Sequence, residues 1–357
     1  MAWIKTDKTN KPKIYGIKRL LSSESPTWER TDSAIGFTAT ASIGTVSGSS
    51  SFDAIYPWSA MKRHTFSTND VMTLIPAFWY RRWEENGYEY IQISPKPVSK
   101  FSKHPGSDKY VGAYRSCIYN QQLASLPDRG AKTEMILSDF RNLAKTKGIG
   151  WGIMDISCLS AIYMLFLVEF ATYDSQQVLG NGNTQGTNKQ ALITGGCDDV
   201  ANLTGRASSD INSDVIYRGV ETLYGWHNQY IDGVIINSST YYVSTNPNDY
   251  NATDKTNYTK LSYSRPILGS SSYLTTQMGY DPNMPWCIFP SASISSTSNW
   301  HRYICDGGHS GDANNDYSYT MGGLWDSGYS SGLFYSVGRG YNAAHTLLDA
   351  RLMYATE

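Results

Sequence analysis

Only two stretches of this chain carry apolar side chains at the spacing of an amphipathic helix, and the other segments have the composition of strands and loops. The first stretch begins at about Ser138, a candidate N-cap, and stops at Gly148 after two lysines in its last turn. The second, from Leu159 to Phe170, is strongly apolar and should bury one face deeply. The sequence therefore predicts two helices in the middle of a chain of strands and long loops.

A β-hairpin is predicted between residues 71 and 94. Two β-rich runs, Val71 to Trp83 and Tyr88 to Ser94, flank the dipeptide Asn86-Gly87, which favours the tight turn of a two-stranded hairpin. From about residue 179 to 298, Gly, Asn, Ser, Thr and Tyr dominate without periodicity. Hydrophobic residues interrupt that stretch, so it predicts long ordered loops.

Residues 1–65 alternate apolar and polar positions between Ser, Gly and Thr clusters. This pattern predicts a small β-rich N-terminal region, followed by one larger domain over residues 66–357. The alternative is that residues 1–65 are the first strands of that same domain.

Charge and hydropathy argue against two classes of partner. Charged residues are 17% of the chain and the formal net charge is −1, so no summed field attracts nucleic acid or an anionic membrane. The apolar segment Leu159 to Phe170 contains Glu169 and is too short to cross a bilayer. The residues after Met1 lack the apolar core of a secretory signal, so we expect synthesis in the cytoplasm without a signal peptide.

The cysteines and histidines do not specify a metal or cofactor. Five cysteines at wide spacings predict isolated buried thiols, without a disulfide framework or zinc site: Cys117, Cys158, Cys197, Cys287 and Cys305. The six histidines are too dispersed for a metal motif. Asp198, Asp199 and the run from Asp312 to Asp316 offer oxygen ligands for calcium, but they do not follow an EF-hand pattern. Calcium binding is possible but unspecified, and we predict no other cofactor.

The C-terminal part has the composition of a recognition surface. Residues 278–356 contain no Lys, Glu or Gln and are rich in Tyr, Ser, Gly, Asn, Asp, His and Trp. Tyr and Trp supply large rigid contact areas, while Ser, Gly and Asn supply adaptable hydrogen bonds. Among the tryptophans of this part, Trp286 and Trp325 are predicted to lie in the core and Trp300 at the surface.

The closing segment, with Gly322-Gly-Leu-Trp325, Gly332-Leu-Phe and Ala350-Arg-Leu, resembles the end of a C-type-lectin-like domain of the formylglycine-generating-enzyme type. More narrowly, it resembles the variable proteins of diversity-generating retroelements, which include phage tropism determinants. Pieces from about residue 70 onward agree. The resemblance implies an α+β, C-type-lectin-like fold: two helices packed on short, twisted, mostly antiparallel sheets with long ordered loops.

In that family, adenine-directed mutagenesis rewrites positions between fixed frame residues, and its usual codons never yield Lys, Glu or Gln. The resemblance implies a frame of Gly323, Trp325, Gly332, Phe334 and Arg351. It implies a variable segment at about 299–349 with surface-facing ligand-binding positions: Leu324, Asp326, Tyr329, Tyr335, Val337, Arg339, Tyr341 and His345, with Trp300, His301, Tyr303, His309 and Asn315 as weaker candidates. One departure is Asp349, where the family usually has Gly.

The resemblance implies a non-catalytic receptor-binding protein of a phage or prophage tail, which is part of a virion and contacts a bacterial surface protein or glycan. Residues 66–357 would be its ligand-binding domain and residues 1–65 its attachment region. Its expected partners include other tail proteins and further copies of itself. The alternatives are a diversified bacterial surface or secreted binding protein, a virion decoration protein, and an enzyme of the formylglycine-generating type. The enzyme needs a close cysteine pair, and Cys287 and Cys305 are far apart.

Overall fold

The structure is a computed structural model that describes residues 12–186, 192–266, 273–295, 304–306 and 316–356. Its helices within those ranges are α1 (Leu137–Lys145), α2 (Ile156–Phe170) and α3 (Ser175–Leu179), with short 3-10 turns at Trp58–Ala60, Ala201–Leu203 and Gly328–Ser330.

Short strands make up most of the regular structure. In chain order they are β1 (Tyr15–Leu20), β2 (Glu29–Asp32), β3 (Ala39–Thr40), β4 (Ser42–Ile43), β5 (Ser49–Ser50), β6 (Arg63–Thr65), β7 (Val71–Ile75), β8 (Trp79–Glu85), β9 (Tyr88–Ser94), β10 (Ser102–Lys103), β11 (Lys109–Gly112), β12 (Cys117–Tyr119), β13 (Gln122–Ala124), β14 (Trp151–Ile153), β15 (Gly205–Arg206), β16 (Val215–Tyr217), β17 (Val220–Glu221), β18 (Asn228–Asn237), β19 (Thr240–Val243), β20 (Thr259–Ser264), β21 (Tyr273–Met278), β22 (Pro290–Ser295), β23 (Ile304–Asp306), β24 (Asp316–Gly322), β25 (Gly332–Gly340), β26 (Leu348–Asp349) and β27 (Leu352–Ala355).

The strands form several small sheets. The largest in the described ranges follows the order β20-β19-β18-β24-β25, with β26 beside β18. Two five-stranded sheets follow the orders β10-β8-β9-β1-β2 and β14-β27-β11-β7-β6. Smaller sheets have the orders β17-β16-β15-β4 and β22-β21-β23, and β12-β13 and β3-β5 are pairs. Pairing is antiparallel except between β4 and β15 and between β18 and β26.

The predicted α+β, C-type-lectin-like fold is wrong, because the protein is mostly β: strands take 38% and helices 12% of it, with three helices in the described ranges. The reason lies in α2, in which every side chain except Phe170 is buried, including Glu169. A helix that is apolar on all sides has no face for solvent and must be enclosed. It contacts β1, β3, β7, β9 and β18, so strands surround it on several sides.

Two local predictions have different outcomes. The hairpin is confirmed for β8 and β9, because Glu85 pairs with Tyr88 and the two turn residues Asn86 and Gly87 both have positive φ, 53° and 78°. The beginning of the predicted first run instead forms β7, which belongs to another sheet. The N-cap at Ser138 is wrong, because α1 begins at Leu137 and Ile136 is its N-cap, without a side-chain hydrogen bond. Within the described ranges, no helix is long and apolar enough to span a membrane.

The described part of residues 1–65 packs with the rest of the chain. Strand β1 lies between β2 and β9 in one sheet. Its Ile17 is fully buried and belongs to the same hydrophobic cluster as Leu159 of α2 and Phe334 of β25. Strand β6, at the end of this region, pairs with β7. These contacts join the N-terminal strands to the same core that contains Phe334 of β25.

The prediction of isolated buried thiols is confirmed for four cysteines: Cys117, Cys158, Cys197 and Cys287. Burial raises the pKa of each, to about 12 for Cys158, and the thiol form is a poor nucleophile. We therefore expect at most one of the five thiols of the native protein to react rapidly with Ellman's reagent, and all five to react in guanidinium chloride. Rapid reaction of two or more native thiols would contradict this burial.

Candidate functional site

The predicted binding positions that the structure describes lie around the hairpin of β24 and β25. Residues 323–331 connect the two strands, and residues 341–347 lead from β25 to β26. We use the name C-terminal surface for the exposed and half-exposed predicted positions of these segments: Leu324, Asp326, Arg339, Tyr341 and His345.

Loop 323–331 is held against neighbouring loops by backbone hydrogen bonds. The N–H of Trp325 donates to the carbonyl of Trp226 (3.1 Å), and its own carbonyl accepts from the N–H of Gly186 (2.8 Å). The N–H of Gly328 donates to the carbonyl of Thr184 (2.7 Å). Because the main chain makes these bonds, the side chains of Leu324 and Asp326 can change without loss of the anchors.

Loop 341–347 is anchored in the same manner. The hydroxyl of Tyr230 donates to the carbonyl of Ala343, and the N–H of Glu134 donates to the carbonyl of His345 (3.1 Å). The imidazole Nδ1 of His345 accepts from the N–H of Leu347 (3.1 Å). The conformation of this loop therefore rests mainly on carbonyl groups that every residue type provides.

The two loops meet at the buried residue Asn228. Its backbone N–H donates to the carbonyl of Leu347 (3.1 Å), and its side-chain oxygen accepts from the N–H of Gly323 (3.1 Å). Arg339 and Tyr341 lie toward the other end of the hairpin. The seven residues of β24 separate the two ends by about 20 Å at 3.3 Å per residue. The C-terminal surface is thus elongated, and the loops approach each other at one end.

Two predicted positions do not face solvent, and others fall outside the described residues. Tyr335 and Val337 in β25 are only 7% and 4% exposed, which corrects their prediction as surface residues. The reason is that residues 331–338 are buried without interruption, so both faces of β25 are covered. Outside the described part lie the side chain of Tyr329 and the residues Trp300, His301, Tyr303, His309 and Asn315.

Most of the residues assigned to the frame are buried next to the loops or have backbone conformations that favour glycine. Phe334 and Arg351 are 2% and 0% exposed. Gly323 and Gly332 have φ of 82° and 146°, backbone conformations that favour glycine. Trp325 is half-buried and so is not the core residue we expected, whereas Trp286 is buried as predicted.

A buried ionic group fixes the chain immediately after loop 341–347. Asp349 accepts from Nη1 of Arg115 (2.6 Å) and contacts Nδ1 of His227 (3.0 Å), and all three are buried. Arg351 donates to the carbonyls of Gly112 (2.9 Å) and Thr222 (3.2 Å) among others. Asp349 therefore has a structural role in this chain.

Sequence reasoning missed Asn228, Arg115 and His227 as parts of this support. Arg115 and His227 both contact Asp349, which is more than a hundred positions away from each of them along the chain. No local spacing in the sequence therefore indicates these contacts. Across the ranges that the structure describes, no group of three His, Cys, Asp or Glu side chains could hold a metal ion. The run from Asp312 to Asn315 lies outside those ranges.

The comparisons with known proteins do not assign the chain to a family. A scan against protein-family models finds no match, and a search of curated proteins finds no significant relative.

Proposed function

We propose that this chain is a non-catalytic binding protein whose C-terminal surface contacts a ligand on a bacterial cell, as the receptor-binding protein of a phage or prophage tail. The observation that carries the proposal is that, in residues 323–351, the groups that hold the loops are mostly different from the side chains that face solvent. Main-chain hydrogen bonds and buried frame residues hold most of the loop structure, and among the side chains of the C-terminal surface His345 adds one hydrogen bond, from the N–H of Leu347.

This arrangement suits a surface whose specificity changes by substitution. A loop held by its backbone keeps its shape when its side chains are exchanged, and binding residues are commonly carried on such loops over a rigid scaffold. The composition of residues 278–356, rich in Tyr, Ser, Gly and Asn and without Lys, Glu or Gln, supports the same function. Several copies on one virion would raise the avidity of a weak individual site through effective concentration.

The test is binding of the fluorescently labelled protein to a panel of bacterial cells. We expect the double variant Tyr341→Ala, His345→Ala to lose about ten-fold or more in affinity, because an aromatic anchor often dominates a binding surface. The matched control is Tyr119→Ala, since Tyr119 and Tyr341 are both 40% exposed and Tyr119 lies on β12, outside the C-terminal surface.

The comparison separates a specific surface from a general aromatic contribution. The control should bind like the wild-type protein, and both variants should unfold at the wild-type temperature. Equal affinity of the double variant and the wild-type protein, or a wild-type protein that binds none of the cells, would refute the proposal.

A further inference from the structure

A cavity of about 550 Å³ lies away from the C-terminal surface, beside the edge strand β14. Its walls come from the end of α1, the segment 148–153, strand β27 and the loop at 247–250. This volume is in the range of sites that bind small organic molecules. The lining is mainly apolar, with Ile149, Trp151, Pro247, Tyr250 and Met353.

Two glycines in the wall leave this space open. Gly152 lies in β14, and a Cβ atom added there would meet no atom within 4 Å. Gly148, at the same wall, also has nothing within 4 Å of an added Cβ. The sheet edge therefore has room beside its backbone, and the first atom of a side chain at position 152 would lie in open space.

Polar groups converge on the cavity from one helix face. Arg141 is 6% exposed, and its Nε and Nη2 donate to the two carboxylate oxygens of Asp232 (2.7 and 2.8 Å). Its Nη1 makes no bond to another residue of the described ranges. Lys145, one helical turn further, is exposed and has no carboxylate partner within those ranges. With one carboxylate against two cations, the lining has an excess positive charge.

The hydroxyl of Tyr250 already donates its hydrogen bond within the protein. It donates a hydrogen bond to the carboxylate of Asp155 (3.1 Å), which also accepts one from Nζ of Lys109 (2.7 Å). The ring of Tyr250 is therefore fixed as part of an apolar wall. The site combines flat apolar walls with a cationic end, which matches a molecule with a ring body and one anionic group.

We propose that this cavity binds a ring-shaped organic carboxylate, with its ring against the apolar walls and its carboxylate near Lys145 and Nη1 of Arg141. Two sources share this chemistry: a uronic acid residue of a polysaccharide and a free aromatic acid. This binding site is separate from the C-terminal surface, so the double variant Tyr341→Ala, His345→Ala should retain it.

The probes are glucuronate and benzoate, each titrated into the full-length protein and followed by ligand-observed NMR. Methyl glucoside and benzyl alcohol are the matched neutral compounds. We expect at least one carboxylate to bind about ten-fold more tightly than its neutral analogue, because a hydrogen bond to a charged group is lost in the analogue. Glucuronate binding would indicate the polysaccharide source, and benzoate binding the aromatic acid.

Two variants connect binding to the cavity. Gly152→Leu should abolish binding by filling the space, and Lys145→Gln, at an exposed position, should weaken it several-fold without affecting folding. Gly130→Leu is the control, because Gly130 is exposed and an added Cβ there also meets nothing within 4 Å. Absence of binding by both carboxylates, equal binding of the neutral compounds, or unchanged binding by Gly152→Leu would overturn the proposal.

Discussion

Replacement of Asp349 by Asn is expected to lower the free energy of unfolding by about 3–5 kcal/mol, because it leaves a buried charge without its partner. Arg115 is fully buried, and Asp349 is its only salt-bridge partner in the described residues. The like charge of Arg115 contributes, after burial, to lowering the pKa of Arg351, so the two guanidinium groups already repel each other. Loss of the carboxylate removes the charge that offsets both.

The size of this effect should depend on pH. Burial alone would raise the pKa of Asp349, but the charge of Arg115 and the hydrogen bonds from His227 and Arg115 hold that pKa below its ordinary value. A carboxylate with a lowered folded-state pKa stabilises the protein above its unfolded-state pKa of about 3.9, and this contribution is lost as the pH falls through the folded-state pKa. The difference in stability between the two proteins should therefore be constant above about pH 4 and shrink as the pH falls below that value.

Denaturant unfolding of the wild-type protein and the variant, from pH 7 down to pH 3, measures both effects. Lys103→Ala is the control, because Lys103 and Asp108 form an exposed pair with side chains 50% and 53% accessible. That pair should contribute less than about 1 kcal/mol. A variant at Asp349 that is no less stable than the control would show that the buried group does not support the C-terminal segment.

Local sequence signals predicted some of the local structure in this chain. The expectation of long loops from about residue 179 to 298 was wrong for the strands β15 to β22, which lie there and whose composition lacks a clear period. Asn86-Gly87 specified a two-residue turn because both residues adopt positive φ at low cost. The apolar spacing of Leu159 to Phe170 indicated a helix, and α2 includes that stretch. The arrangement of these elements could not be predicted in the same way. Helix α2 is enclosed by strands from distant parts of the chain, and this enclosure depends on contacts that no short window contains.

The candidate site could be predicted only in part, because exposure also depends on contacts between distant parts of the chain. The exposure of Asp326, Tyr341 and His345 agrees with the expectation of a polar and aromatic recognition surface. Tyr335 and Val337 were assigned to that surface by the resemblance, through their positions between the frame residues. Such an alignment does not show whether one or both faces of a strand meet solvent. Strand β25 is covered on both faces, so both side chains are buried.

The variant Phe334→Ala is expected to lower the free energy of unfolding by about 3–5 kcal/mol, the usual cost of removing a buried phenylalanine ring. Phe334 is 2% exposed, and its ring packs against Tyr163 and Phe166 of α2 and against Tyr173, with ring centroids 4.8, 5.9 and 5.1 Å away. These contacts join β25 to the enclosed helix. Alanine would leave a cavity among rings that cannot collapse around it without moving the helix.

The matched variant is Tyr341→Ala, which removes an aromatic ring of similar size from the loop that follows the same strand. Tyr341 is 40% exposed, so we expect its loss to change the free energy of unfolding by no more than about 0.5 kcal/mol. Denaturant unfolding of both variants measures the difference. If the frame and the binding surface are separate, Phe334→Ala loses stability, whereas Tyr341→Ala loses affinity for cells and keeps its stability. A similar stability loss in both variants would mean that the loop is part of the folding core, and its side chains could not then be exchanged freely to change the ligand.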